Sequence, residues 1–124
     1  MGFTVLRLDE LDWSTPSSRD ESRGIVRLSD RLTHLRGNVW RFPAGSRGRR
    51  HLETLQEEVF VVLAGTASLA LGDPPERVEL PAGTVVLLEP RTAVQLGGGP
   101  EDAVVLALGA PPEQGGAEYL PDAD

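Results

Sequence analysis

Between residues 24 and 109 the apolar positions come in short runs, at 25–28, 35–42, 59–64, 67–71, 78–80, 84–88, 93–96 and 103–108. Turn-forming clusters separate them: Pro43-Ala44-Gly45, Gly72-Asp73-Pro74-Pro75, Pro81-Ala82-Gly83 and Gly97-Gly98-Gly99-Pro100. Glycine supplies positive φ, and proline cannot donate to a strand ladder, so each cluster predicts a break. No segment keeps a helical period for more than a turn or two. Short strands with regularly spaced turns predict an all-β sandwich or barrel. Val59-Phe60-Val61-Val62-Leu63 is apolar on both faces, which suits a strand held between two sheets or in a subunit interface.

The ends read differently. In residues 3–8, Phe3 and Val5 share a face with Arg7, and Leu6 and Leu8 share the other with Thr4. Apolar residues on both faces predict a short strand covered on both sides. Residues 14–22 are polar and turn-rich and read as a linker. The segment from Pro111 on is polar and reads as a frayed tail, with Tyr119-Leu120 as its apolar anchor. The expected division is an N-terminal arm over 1–23, a barrel over 24–110 and a tail over 111–124.

Composition narrows the class. A chain of 124 residues, 40% hydrophobic, fits one domain with a real core. Its 14 Gly and 10 Pro suit many tight turns. It has no cysteine, which excludes disulfides and thiolate metal sites and fits a reducing compartment. No secretory h-region and no membrane-length apolar run is found, so the expectation is a soluble cytoplasmic protein with no membrane partner. A net charge of −7 argues against nucleic acid. One basic patch runs against this trend: Arg47, Arg49 and Arg50 precede His51, with Arg36 and Arg41 upstream. It reads either as a solvated loop or as a positive rim that draws an anionic small molecule.

The most informative stretch is 45–65. Gly45 is followed by five residues and His51, then Leu52 and Glu53, then four residues and Glu58, then six and Gly65. It resembles the first motif of the cupin family, which has glycine, five residues, His-x-His, three or four residues, Glu, six residues and glycine. Every spacing matches, and Glu53 stands where the family has its second His. A second frame follows. Pro81-Ala82-Gly83 opens the run at 84–88, and Glu89-Pro90-Arg91-Thr92-Ala93 takes the place of the family's Pro-Pro-Gly-Thr-Pro turn. Val94 stands where the family's last metal-binding His is expected. The resemblance spans roughly 24–109 and implies a cupin jelly roll, a double-stranded β-helix barrel. It also implies a homodimer, for which Phe3, Val5, Leu6, Leu8 and Trp13 in the arm are suitable apolar material.

In metal-bearing cupins two His and a Glu of the first motif and one His of the second converge inside the barrel. Residues two apart on a strand share a face, so His51 and Glu53 should point together. The resemblance carries over His51, Glu53 and Glu58 as metal ligands and leaves Val94 unable to coordinate. One imidazole and two carboxylates suit Mn or Fe, with Ni or Zn as further choices, at reduced affinity. The cofactor expectation is therefore none, or a weakly bound divalent metal. His34 is the one other imidazole. If 33–42 is an unbroken strand, His34 shares the parity of Trp40 and Phe42 and is a candidate extra ligand, unless Gly37 marks a bulge. A lone strand His is more often simply packed. Likewise Glu53, Glu57 and Glu58 also read as a solvated acidic turn.

Three functions follow. The first is a small-molecule-binding cupin with its pocket among His51, Glu58, Trp40 and Val94. The second is a metal-dependent enzyme of dioxygenase or isomerase type using His51, Glu53 and Glu58. The third is a structural or regulatory interaction module. Catalysis itself stays open. A nucleophile elbow and a phosphate-cradling loop are both missing, since Gly97-Gly98-Gly99-Pro100 leads into a strand rather than a helix. Glu53 and Glu58 as a carboxylate pair remain conceivable, because two acids in one apolar barrel push their pKa values apart.

Overall fold

The computed structural model describes residues 2–16, 23–112 and 116–123. Its strands are β1 (Gly24–Arg27), β2 (Arg36–Phe42), β3 (His51–Glu53), β4 (Glu57–Leu71), β5 (Glu76–Pro81), β6 (Val85–Leu88), β7 (Val94–Ala110) and β8 (Ala117–Tyr119). Helix among the described residues is confined to two single 3-10 turns, Leu8–Glu10 and Leu28–Arg31. The eight strands form one rolled antiparallel sheet.

Two long strands make the roll. The first half of β4 pairs with β6 and with the second half of β7, while its second half pairs with β5 and the first half of β7. The register shifts between Val62 and Ala64 and again between Gly65 and Ala67. These bulges bend both strands, so each serves two faces of the barrel. One face runs β1, β2, β7, β4, β6, and the other runs β8, β3, β7, β4, β5. Between them lies an apolar core that includes Phe42, Phe60, Val62, Leu69, Val94 and Val105.

Two glycine positions explain how the chain turns these corners. Gly65 has φ +69°, and a Cβ there would strike the Asp102 carbonyl of the adjacent strand. The Gly97-Gly98-Gly99 run, read above as a break, lies inside β7. A Cβ at Gly97 or Gly98 would collide with the carbonyls of Ser46 and Pro43, so these glycines let the 43–47 loop lie against the strand. The Gly98 N–H donates to Ser46 O at 3.0 Å. Here glycine serves close backbone approach rather than a turn.

Three further expectations are corrected. Residues 2–7 form no strand, and Phe3 and Val5 are 80% and 75% exposed. β2 starts at Arg36, after a bend at Thr33 and His34. The tail is docked rather than frayed. β8 pairs with β3, Ala123 is buried, and its carbonyl accepts from Arg47 and Arg77. Residues 17–22 of the linker and 113–115 of the tail lie outside the described residues. In β4, Phe60 and Val62 point inward, while Val59 and Val61 are half-buried opposite Leu87 and Val85, which are exposed.

Candidate functional site

Strand alternation builds one wall of an open cavity. Arg36, Asn38, Trp40 and Phe42 fall on one face of β2, and all four line a cavity of about 420 Å³. The Trp40 and Phe42 rings stack at 5.9 Å and 21°. Glu58 and Phe60 face them from β4, and His51 and Glu53 come from β3. The docked tail closes another side with Ala117 and Tyr119.

His51, Glu53 and Glu58 meet there, with one donor atom from each within 4.8 Å of the others. His51 Nε2 lies 3.3 Å from Glu53 Oε2 and 3.7 Å from Glu58 Oε1. Its Nδ1 faces the Arg49 carbonyl at 3.4 Å, which aims Nε2 at the carboxylates. Burial alone would lower the His51 pKa, but its hydrogen bonds to Glu53 and Glu58 and their charges raise it to about 9. The hydrogen bond from His51 holds the Glu53 carboxyl below its ordinary range against the opposing effect of burial, with Arg36 assisting. Glu53 Oε1 lies 3.2 Å from Arg36 Nη2 yet has no hydrogen-bond partner among the described residues.

The turn of the second motif supports this cluster. Arg91 adopts φ 66° where the family pattern has glycine, and its N–H donates to the Glu53 carbonyl at 2.7 Å. Val94 pairs directly with His51, but its side chain is wholly buried in the apolar core and does not line the cavity. That corrects its expected place in the pocket. His34 sits in the bend before β2 and is exposed, so the parity that would have aimed it inward does not apply.

The basic patch divides. Arg36 and Arg49 line the cavity, joined by Arg23 and Arg27. Arg47 and Arg50 hold the tail instead, donating to the carbonyls of Ala123 and Pro121, and Arg41 stacks over Trp13 at 4.8 Å. Sequence reasoning missed Asn38, although the alternation that marks Trp40 and Phe42 includes it. It also missed Arg23, Arg27 and Ala117, for which no sequence signal existed.

The three donors fit a divalent cation in kind. One neutral imidazole and two carboxylates suit Mn, Fe or Zn and leave positions open. A metal would have to displace the His51 proton and share Glu53 with Arg36, both of which weaken the site.

No protein-family model matches the chain. No curated protein sequence matches it either. Solved structures do. A conserved protein with a double-stranded β-helix domain from Klebsiella pneumoniae superposes with TM-score 0.73 at 19% identity, covering 95% of this chain and 97% of its own. A cupin-like protein from Thermotoga maritima gives 0.71 at 17%, covering 86% of each chain. The polyketide cyclase RemF from Streptomyces resistomycificus gives 0.79 at 13%, covering 98% of this chain and 88% of the other. The fold is a cupin-type double-stranded β-helix. At these identities the likeness defines the architecture, which hosts many chemistries.

Proposed function

We propose that this chain is a small-molecule-binding barrel whose ligand sits in the cavity against His51, Glu58 and Trp40, over a metal centre that is weak or unused. The observation that carries this reading is the cavity itself. About 420 Å³, lined by both aromatic and charged side chains, falls within the usual range for ligand sites. A purely structural module would fill that space with side chains. Screening a fragment library against 15N-labelled protein tests it. Hits should shift the Trp40 indole, His51 and Tyr119 together. A full set of fragments that leaves these three unmoved would remove the reading.

A metal-dependent enzyme using His51, Glu53 and Glu58 is the second reading. The convergence of three donors within 4.8 Å, with His51 Nδ1 braced on Arg49, favours it. Exposed Phe3, Val5, Val85 and Leu87 support the expected association of two copies, which light scattering reads as twice the chain mass.

A further inference from the structure

The chain as a whole is acidic, yet its cavity is not. Four guanidiniums, from Arg23, Arg27, Arg36 and Arg49, line it against the carboxylates of Glu53 and Glu58. The chain contains no lysine, so all twelve of its basic residues are arginine, and a third of them gather here. Arginine presents a flat, weakly hydrated fork matched to carboxylate and phosphate oxygens. Arg47 and Arg50, neighbours in sequence, are spent on the tail, so the gathering is selective.

The aromatic residues show the same concentration. Of six in the chain, Trp40, Phe42, Phe60 and Tyr119 line this one cavity. Arg49 lies 3.5 Å over the Tyr119 ring and Arg23 5.2 Å over Trp40, which places positive charge on one face of each ring. Uncharged hydrogen-bonding side chains are few in the lining: Ser29, Asn38, the Trp40 indole N–H and the Tyr119 hydroxyl. A polyhydroxylated neutral ligand would find few partners there, and four guanidiniums against two carboxylates favour an organic anion over an organic cation.

We infer that the occupant is a small organic anion with a flat apolar body, its carboxylate or phosphate held by Arg36 and Arg49 and its body laid against Trp40, Phe60 and Tyr119. This rests on the proposal that the cavity is a ligand site. Arg36 is half-exposed at 44% and meets Glu53 through Nη2 alone, so the rest of its fork of N–H donors is left for a ligand.

The test compares benzoate, phenyl phosphate and neutral benzamide by 15N NMR titration. At least one anion should bind about tenfold or more tighter than benzamide, the scale of one charge-assisted hydrogen bond. The better anion identifies the head group. Arg36→Gln with Arg49→Gln should erase that margin while changing benzamide binding by less than about twofold. If the double variant loses its dispersed spectrum, salt dependence of the unaltered protein decides, since screening weakens anion binding and spares benzamide. Equal affinity for anions and benzamide would overturn the anionic assignment and leave the cavity reading intact. Binding of none of the three to the folded protein would likewise overturn the anionic assignment, and the fragment screen alone then decides the cavity reading.

Discussion

Val94 stands directly opposite His51 in the antiparallel pair of β3 and β7, and its side chain is completely buried. Residues opposed in this way project to the same face, with Cβ atoms about 4.5–5.5 Å apart. An imidazole at position 94 would therefore meet the His51 ring. Val94→His should destabilise the metal-free protein by about 1–3 kcal/mol through overpacking and a buried polar ring. Adding Ni or Zn should then raise its melting temperature more than it raises that of the unaltered protein. Identical metal responses would show that position 94 does not reach the centre.

The pKa of His51 gives a pH signature. Its folded value of about 9 lies above the ordinary 6.5, so the contribution is full below about pH 6.5 and is lost as pH rises through about 9. The drop across that window should be of the order of 3 kcal/mol. Glu53 acts in the opposite direction. Its lowered pKa gives stability that is present above its ordinary range and lost on acidification. Urea melts of the native protein and His51→Gln between pH 6 and 10 should show the alkaline drop in the former alone. Parallel curves would refute the ion-paired imidazole.

Two glycines of the first motif should respond unequally to alanine. Both have positive φ, +74° at Gly45 and +69° at Gly65. At Gly45 nothing lies within 4 Å of an added Cβ, so the cost is conformational, about 1–2 kcal/mol. At Gly65 the Cβ would meet the Asp102 carbonyl, and Gly65→Ala should cost more than about 3 kcal/mol or prevent folding. Chemical denaturation of the two variants checks the order.

Arg91 carries backbone strain beside the site, holding a left-handed conformation while its N–H binds the Glu53 carbonyl. Its ion pair with Glu118 is exposed on both sides and contributes little. Arg91→Gly should therefore stabilise by about 0.5–1 kcal/mol, and Arg91→Val should destabilise. A loss of stability in the glycine variant would mean the side chain matters more than the φ angle.

The barrel was legible because alternation and turn chemistry are local. The spacing of Gly45, His51, Glu53, Glu58 and Gly65 sufficed to bring three donors together, since Glu53 and Glu58 flank one short turn. What failed was read from the same local signals but decided by distant packing. The glycines at 97–99 looked like a break because a sequence does not show which loop lies against them. The tail looked frayed because its partners, Arg47, Arg77 and Gln95, come from a distant loop and from two other strands. His34 was misplaced because the strand starts three residues later than 33, which parity arguments cannot tolerate.

The central claim is a ligand barrel with an incomplete metal centre, and metal content tests it most directly. The chain, purified without an affinity tag and analysed for elements, should carry well under one Mn, Fe, Ni or Zn per chain. Calorimetric titration with each ion should give weak binding, because each missing ligand costs affinity and even an outer partner is worth about 10–100-fold. One tightly held metal per chain, abolished by His51→Ala, would contradict the account and make the metalloenzyme reading the correct one.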